Sequence, residues 1–530
     1  MPMVLDLKSL NVQKMLAQRV MPRLEGALLS DKDYMKEIMT LVEAGVGGFI
    51  IFGGDYWEVR QGLTKLQAKA KIPLLITSDM ERGAGQQLKG ATVFPSQMAV
   101  AAATDTHTGE GLGLLSEMLT GVAEEARGAG VHAVLAPVMD VNSNPLNPII
   151  CTRAFSDEPQ AVSALGEQYI KGLQGSTPPV MACAKHYPGH GDVSLDSHST
   201  LPTLDKDKES LEDEDMYPFR RAVMAGVEMV MTAHINVPAL DPNYPASLSQ
   251  IVTRNFLRNR GGFEGLVLTD ALNMGALKDR FTPREAARLA IKAGADILLH
   301  PGAPVDFLKE LGELAAKKEV TKEEVMASAG RLARAKAKYC IASGLTDRQM
   351  SDRLRKNSEA AEAMAQRALT LVKAAGAFPA LKEVKGTIAH IVLEDDGDKM
   401  AGRALRSALT KHKNLSNLFV TRQDAGRLKQ EAVKRAREAS LTIISIFSKV
   451  SAGKGSSGLA QELAELGKQI VAKNKKSVVV SFGSPYILKQ FMDAHYVVAA
   501  YDPTEAMQHA AYRAFLGDII FMGELPVRIS

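Results

Sequence analysis

The chain is poor in the residues that staple, stack or span. Three cysteines occur in 530 residues, Cys151, Cys183 and Cys340. They are scattered and odd in number, so neither a disulfide framework nor a clustered metal site follows, and all three are expected in or near a core. One tryptophan, Trp57, and an aromatic content of 5% leave little for stacking platforms along a polymer. Trp57 is expected to do no more than pack a helix. The net charge is only +4 and no basic run stands out, which argues against nucleic acid and against a membrane surface as partner. No run of about 18 apolar residues occurs, so no membrane-spanning helix is expected. Residues 1–23 lack a continuous apolar core followed by a small-residue cleavage site, and a cytoplasmic location is expected. The segment GKGSS near Lys454 fails the spacing of a phosphate loop. Neither a cofactor nor a metal is expected. The oligomeric state is open, and a monomer is compatible with the sequence.

What is present is an ordinary globular composition, 46% hydrophobic and 23% charged, long enough for two or three domains. Apolar runs at 46–52, 72–77, 131–137, 180–184, 227–233, 266–269 and 295–299 do not alternate with polar residues, and a weaker run lies near 23–29. Such runs suit strands covered on both faces. Helical patterns lie between them, at 56–71, 109–129, 159–174 and 283–293, the last with Thr282 as N-cap and Pro283 in its first turn. Eight strands alternating with helices predict a TIM-type (β/α)₈ barrel, with an open doubly wound sheet as the alternative. The strand ends favour the barrel. Asp79, Asp140, Lys185, His186, His234, Asp270 and His300 all sit at or just past them, and only a barrel brings so many carboxyl ends to one face. Residues 1–345 are assigned to this barrel. A polar, Ala-rich helix is predicted over 351–375, within a linker at 346–386. Apolar runs at 388–393, 441–447, 477–482 and 496–500 then predict a smaller α/β sandwich over 387–530.

Two segments carry chemistry. KHYPGHGDVSLDSH, residues 185–198, packs a lysine, three histidines and two aspartates behind an apolar strand. Asp196 and His198 stand two apart on a loop, so the carboxylate can fix one imidazole tautomer and leave the other nitrogen to give and take a proton. Lys185 and His186 can hold hydroxyl groups. The bland alternative, a polar surface loop, explains one such pair easily and the whole cluster poorly. A metal site built from His186, His190 and His198 is disfavoured, because Pro and Gly interrupt any helical spacing. In GLVLTDALNMGAL a strand ends directly on Asp270, which is either a helix cap or a reactive carboxylate.

KHYPGHGDVSLDSH resembles the signature of family 3 glycoside hydrolases, in the β-N-acetylglucosaminidase subgroup. TDALNMGAL with REAARLAIKAGADILLHPG is similar to that family's nucleophile strand and the helix and strand after it. PVMDVNSNPLNPIICTRAFSDEP resembles its sugar-binding arginine loop, and GGFIIFGG and ITSDMERGAGQQL its earlier strands. The resemblance implies a two-domain enzyme without cofactor, acting on terminal β-linked N-acetylglucosamine in cell-wall or chitin-derived fragments. It implies Asp270 as nucleophile, His198 as acid/base oriented by Asp196, and Asp79, Arg153, Lys185 and His186 as the sugar's grip. Histidine replaces the second carboxylate that retaining glycosidases usually carry. In β-glucosidase members the second domain supplies that carboxylate, and the comparable loop here, 448–458, contains no acid. One departure touches the sugar: Gln87 stands where an arginine is expected, and Arg82 replaces a glycine. Three other readings remain: a phosphorylase breaking the same intermediate with phosphate, a β-glucosidase or dual-specificity enzyme, and a non-catalytic sugar-binding protein.

Overall fold

The computed structural model describes residues 6–342, 344–450, 453–474 and 476–529. Residues 451–452, inside the acid-free loop at 448–458, and the first five residues of the chain therefore lie outside the description. The chain falls into two compact units that interleave along the sequence. The first is Met1–Val93, Leu119–Val141 and Pro159–Asn357; the second is Phe94–Met118, Asn142–Glu158 and Ser358–Ser530.

The first unit is a parallel barrel. Its strands are β1 (Val20–Met21), β2 (Arg23–Glu25), β3 (Gly48–Phe52), β4 (Leu75–Ser78), β5 (Ala133–Val134), β6 (Met181–Tyr187), β7 (Met229–Thr232), β8 (Leu266–Thr269) and β9 (Leu298–Leu299). β2 to β8 pair in sequence order, all parallel. Pro22 has no N–H to donate and separates β1 from β2, so these two act as one interrupted first strand. β1 pairs with β9, and a parallel bridge between Leu268 and Ile297 ties β9 to β8, closing the ring. The expected barrel is thus the observed one.

Strands β6 and β8 are buried at every position, which is why their sequences do not alternate. Each buried Leu or Val contributes roughly 1.5–3 kcal/mol of transfer free energy. The surrounding helices follow their caps. Pro283–Ala293 starts where the Thr282 hydroxyl accepts from Glu285 N–H, and it ends at Gly294, whose φ of 102° is open to glycine. Pro159–Gln174 buries Val162, Leu165, Tyr169, Ile170 and Leu173, one face of a 3.6-residue period. A buried carboxylate sets the register of the last strands. Asp296 accepts from Val267 N–H at 2.8 Å, Arg258 Nη2 at 2.7 Å and Arg331 Nε at 2.9 Å. Two guanidiniums compensate its charge, and β8 and β9 are held so that their carboxyl ends present Asp270 and His300.

The second unit is built on a six-stranded sheet of order β10-β15-β14-β13-β11-β12, with β10 (Thr370–Ala374), β11 (Ile388–Glu394), β12 (Leu415–Thr421), β13 (Leu441–Phe447), β14 (Ser477–Ser481) and β15 (Tyr496–Ala499). All pairs are parallel except β10 with β15. Helices Ala425–Glu438 and Gln461–Lys473 pack together against β11, and Arg403–Leu409 pairs with Glu505–Leu516. The mostly parallel α/β unit is as expected, with two corrections. The helix expected over 351–375 is Asp347–Ala368, and the chain then turns into β10. Thr370, Leu371 and Val372 suit a strand, but only the distant partner β15 decides it. β12 was absent from the predicted strands because it is a half-exposed edge carrying Ser416 and Asn417, with an apolar run of only three residues, 418–420.

Candidate active site

The carboxyl ends of the barrel strands gather the polar residues. On β6, the Lys185 ammonium is 2% exposed and lies 2.8 Å from Asp79 Oδ1 and 2.7 Å from Glu81 Oε1. Two carboxylates offset the burial of one cation. Asp79 itself remains 28% exposed, so it keeps an accessible acceptor. His186 Nδ1 stands 2.8 Å from Asp140 Oδ2, while the other Asp140 oxygen accepts the N–H groups of His186 and His190 at 3.1 and 2.8 Å. Burial raises the Asp140 pKa, but the neighbouring imidazoles and these N–H donors outweigh it and leave the carboxyl below its usual range. Asp140 therefore braces the turn from which the loop to His198 departs.

That loop is held at several points. His190 Nε2 lies 3.0 Å from Ser197 Oγ. Lys206, at its far end, lies 3.3 Å from Asp192, 3.0 Å from Glu214 and 2.9 Å from Asp215. Asp196, 4% exposed, takes His198 Nδ1 at 2.8 Å and the His198 backbone N–H at 2.9 Å on one oxygen. His198 keeps 41% of its side chain exposed. Its Nδ1 is thus committed to Asp196, and Nε2 is the nitrogen left for exchange with a substrate.

Asp270 follows β8 directly. Its backbone N–H donates to Thr232 O at 3.0 Å, and its Oδ1 accepts Ala271 N–H at 2.7 Å. Burial raises its pKa; the imidazoles of His234 and His186 and the Ala271 N–H act the other way and leave it below the usual carboxylate range. The Ala271 donor is the part of this balance that holds at every protonation state. His234 is buried, with Nδ1 2.7 Å from Ser247 Oγ and Nε2 3.0 Å from Ala271 O. Only an Nε2–H can serve a carbonyl, so Nε2 carries a proton, and burial lowers the pKa of the ring.

The segments after β6 and β8 meet through backbone. Gly275 N–H donates to His198 O at 3.2 Å. A Cβ on Gly275 would stand 2.8 Å from His198 O and 2.9 Å from Ser199 O, so only glycine lets the loop approach this closely. The structure thus groups Asp79, Lys185, His186, Asp196, His198 and Asp270 in the barrel unit. Arg153 belongs to the second unit, where it ends the 3₁₀ turn Cys151–Arg153 and its Nη1 donates to Ile149 O at 3.0 Å.

Several supporting residues were not picked out as site residues from sequence. Glu81 shares Lys185, Asp140 and Ser197 position the histidines, and His234 positions Ala271. The strand-end placement of Asp140 and His234 was the available signal; nothing marks Ser197. Gln87 braces the backbone instead of presenting a charge: its amide donates to Asp79 O at 3.1 Å and accepts from Gly53 N–H at 3.4 Å. The Arg82 guanidinium makes no hydrogen bond or ion pair among the described residues, where no metal-ligating cluster and no helix long and apolar enough to cross a membrane occur either.

Comparison with known proteins identifies the family and matches the fold. The family model described as the glycosyl hydrolase family 3 N terminal domain matches residues 10–335. The chain is 28% identical to beta-hexosaminidase A of Pseudoalteromonas piscicida, across 92% of this chain and 89% of that protein. It is 35% identical to a beta-hexosaminidase of Chromobacterium violaceum, across 51% of this chain and 76% of that protein. A solved family 3 beta-N-acetylglucosaminidase from Paenibacillus superposes with a TM-score of 0.83 at 27% identity, covering 98% of this chain and 99% of that one. The chain belongs to glycosyl hydrolase family 3 and is a glycoside hydrolase.

Proposed function

We propose that the enzyme is a retaining exo-β-N-acetylglucosaminidase that removes terminal β-linked N-acetylglucosamine from cell-wall or chitin-derived fragments. The observation that carries the reading is the backbone junction at Gly275, which sets the Asp196–His198 pair beside the strand end bearing Asp270. The names of the relatives support the sugar.

In the first step, an Asp270 oxygen attacks the anomeric carbon. The glycosidic bond breaks, and the leaving oxygen takes the proton from His198 Nε2. Asp196 holds Nδ1–H and stabilises the imidazolium before that transfer. In the second step, His198 Nε2 takes a proton from water, whose oxygen attacks the anomeric carbon and releases Asp270 as a carboxylate. The lowered pKa of Asp270 keeps it ionised and nucleophilic. Asp79, Lys185 and His186 grip hydroxyl groups; the same role for Arg153 rests on the family resemblance.

The test is turnover of an aryl N-acetylglucosaminide by wild type and Asp270→Ala, each with and without inorganic phosphate, beside the matching aryl glucoside. Release of free N-acetylglucosamine by wild type, a loss of at least roughly 10³-fold in Asp270→Ala with an unchanged fold, and slower glucoside turnover are expected. Sugar 1-phosphate as the main product would make it a phosphorylase, and equal glucoside turnover a dual-specificity enzyme. Equal rates for wild type and Asp270→Ala would remove the mechanism.

A further inference from the structure

We propose that His300 is a specificity-determining residue whose Nδ1–H donates a hydrogen bond to one hydroxyl of the sugar held against Asp270. The proposal rests on the glycosidase reading above and deepens it.

His300 follows β9 directly, at the carboxyl end of a barrel strand, on the face where Asp79 and Asp270 also end theirs. Its φ is +46°, in the left-handed region that non-glycine residues seldom occupy. Such residues persist where the surroundings over-determine them, and they cluster at functional sites. The surroundings here are specific. The backbone N–H is held by Met21 O at 2.8 Å, across the β1–β9 seam. The ring Nε2 lies 3.3 Å from Asn273 Nδ2. An amide NH₂ can only donate, so Nε2 accepts and the proton of the neutral ring sits on Nδ1.

Burial and the nearby Arg23 hold the His300 pKa down to about 4, so the ring is neutral at ordinary pH and this tautomer is its working form. Among the described residues Nδ1 has no hydrogen-bond partner, and the side chain is partly exposed. A neutral donor is therefore left open at the catalytic face. Beside it, the Phe52 ring lies 6.3 Å away, with the Arg23 guanidinium 4.6 Å above that ring. Together they form a wall with one apolar patch and one donor, which suits the face and edge of a sugar. Asp79 is close enough for its charge to act on the His300 ring. A hydroxyl that donates to the Asp79 carboxylate can accept from His300 Nδ1–H, and this pairing distinguishes a hydroxyl from a hydrogen or a methyl group.

The experiment compares an aryl N-acetylglucosaminide with its 3-deoxy, 4-deoxy and 6-deoxy analogues, on wild type, His300→Gly and His300→Asn. Glycine adopts φ +46° without strain, so His300→Gly removes the ring and leaves the backbone in place. The expected result is a fall of roughly tenfold in kcat/KM for the parent glycoside and less than about twofold for the one analogue lacking the held hydroxyl. His300→Asn tolerates the same φ and keeps a donor on a shorter arm, so it recovers part of the lost discrimination. An equal loss on all four substrates would mean a merely structural role and overturn the proposal, as would no loss at all. Should His300→Gly not fold, His300→Asn is read alone: a loss on the parent that is smaller on one deoxy analogue supports the idea, and an equal loss on all four substrates sinks it. Failure of the glycosidase reading looks different: wild type then releases no aryl alcohol from the parent glycoside.

Discussion

The proton-carrier role proposed for His198 rests on one residue's surroundings. Asp196 Oδ1 takes both its ring Nδ1 and its backbone N–H, so the ring is oriented and its tautomer chosen by a single buried oxygen. The remaining nitrogen is not taken by Asp196, and the side chain is 41% exposed. Replacing His198 with alanine removes the acid, and turnover is expected to fall by about 10²–10⁴-fold, most severely for glycosides with poor leaving groups. A series of aryl glycosides graded by leaving-group acidity measures this as a steeper dependence in the variant. A flat comparison across the series would mean that His198 gives no acid help. The pair was legible in the sequence because both members lie within three residues of each other, where local geometry suffices. Glu81 was not, because its meaning depends on Lys185, more than a hundred positions away.

At the scale of elements, the site is a junction between β8 with its following turn and the loop leaving β6. Gly275 is the contact point, and a methyl group there meets two backbone carbonyls of the His198 loop at under 3.0 Å. Backbone cannot step aside as a flexible side chain does, so Gly275→Ala displaces the loop that bears His198, the proposed acid/base. An expected fall of about tenfold or more in kcat, with a thermal midpoint within a few degrees of wild type, would follow from a misplaced proton donor. Unchanged kcat would show that the loop position is not set there. The strands of the barrel were readable because burial on both faces leaves continuous apolar runs. β10 and β12 were not, because their strand character comes from partners far along the chain and from an edge position that relaxes the pattern.

At the scale of the whole molecule, both units bury neutral histidines, and this sets the response to pH. His190 in the barrel unit and His390 in the second unit are held down to about 4 by burial. His390, on β11, is fixed between Asn417 on β12 and Ser445 on β13 at 2.6 and 2.9 Å. An unfolded histidine takes up a proton near pH 6.5 while these do not, so their stabilisation is present above that pH and is lost as the pH falls toward 4. Between pH 7 and pH 5 each such histidine removes about 2 kcal/mol of stability. Thermal unfolding at the two pH values is expected to show a lower midpoint at pH 5, and His390→Gln a smaller difference than wild type; an equal difference would exclude His390 from the response. The sequence alone determined the barrel and the order of its strands, because continuous burial is written locally, and its short-range motifs singled out the residues proposed here to react. Only the tertiary structure decided how 94–118 and 142–158 cluster with the C-terminal unit, that Gln87 braces Asp79 rather than meeting the sugar as a charge, and that Gly275 joins the two reactive segments. These depend on contacts between residues distant in the chain, and no local pattern carries them.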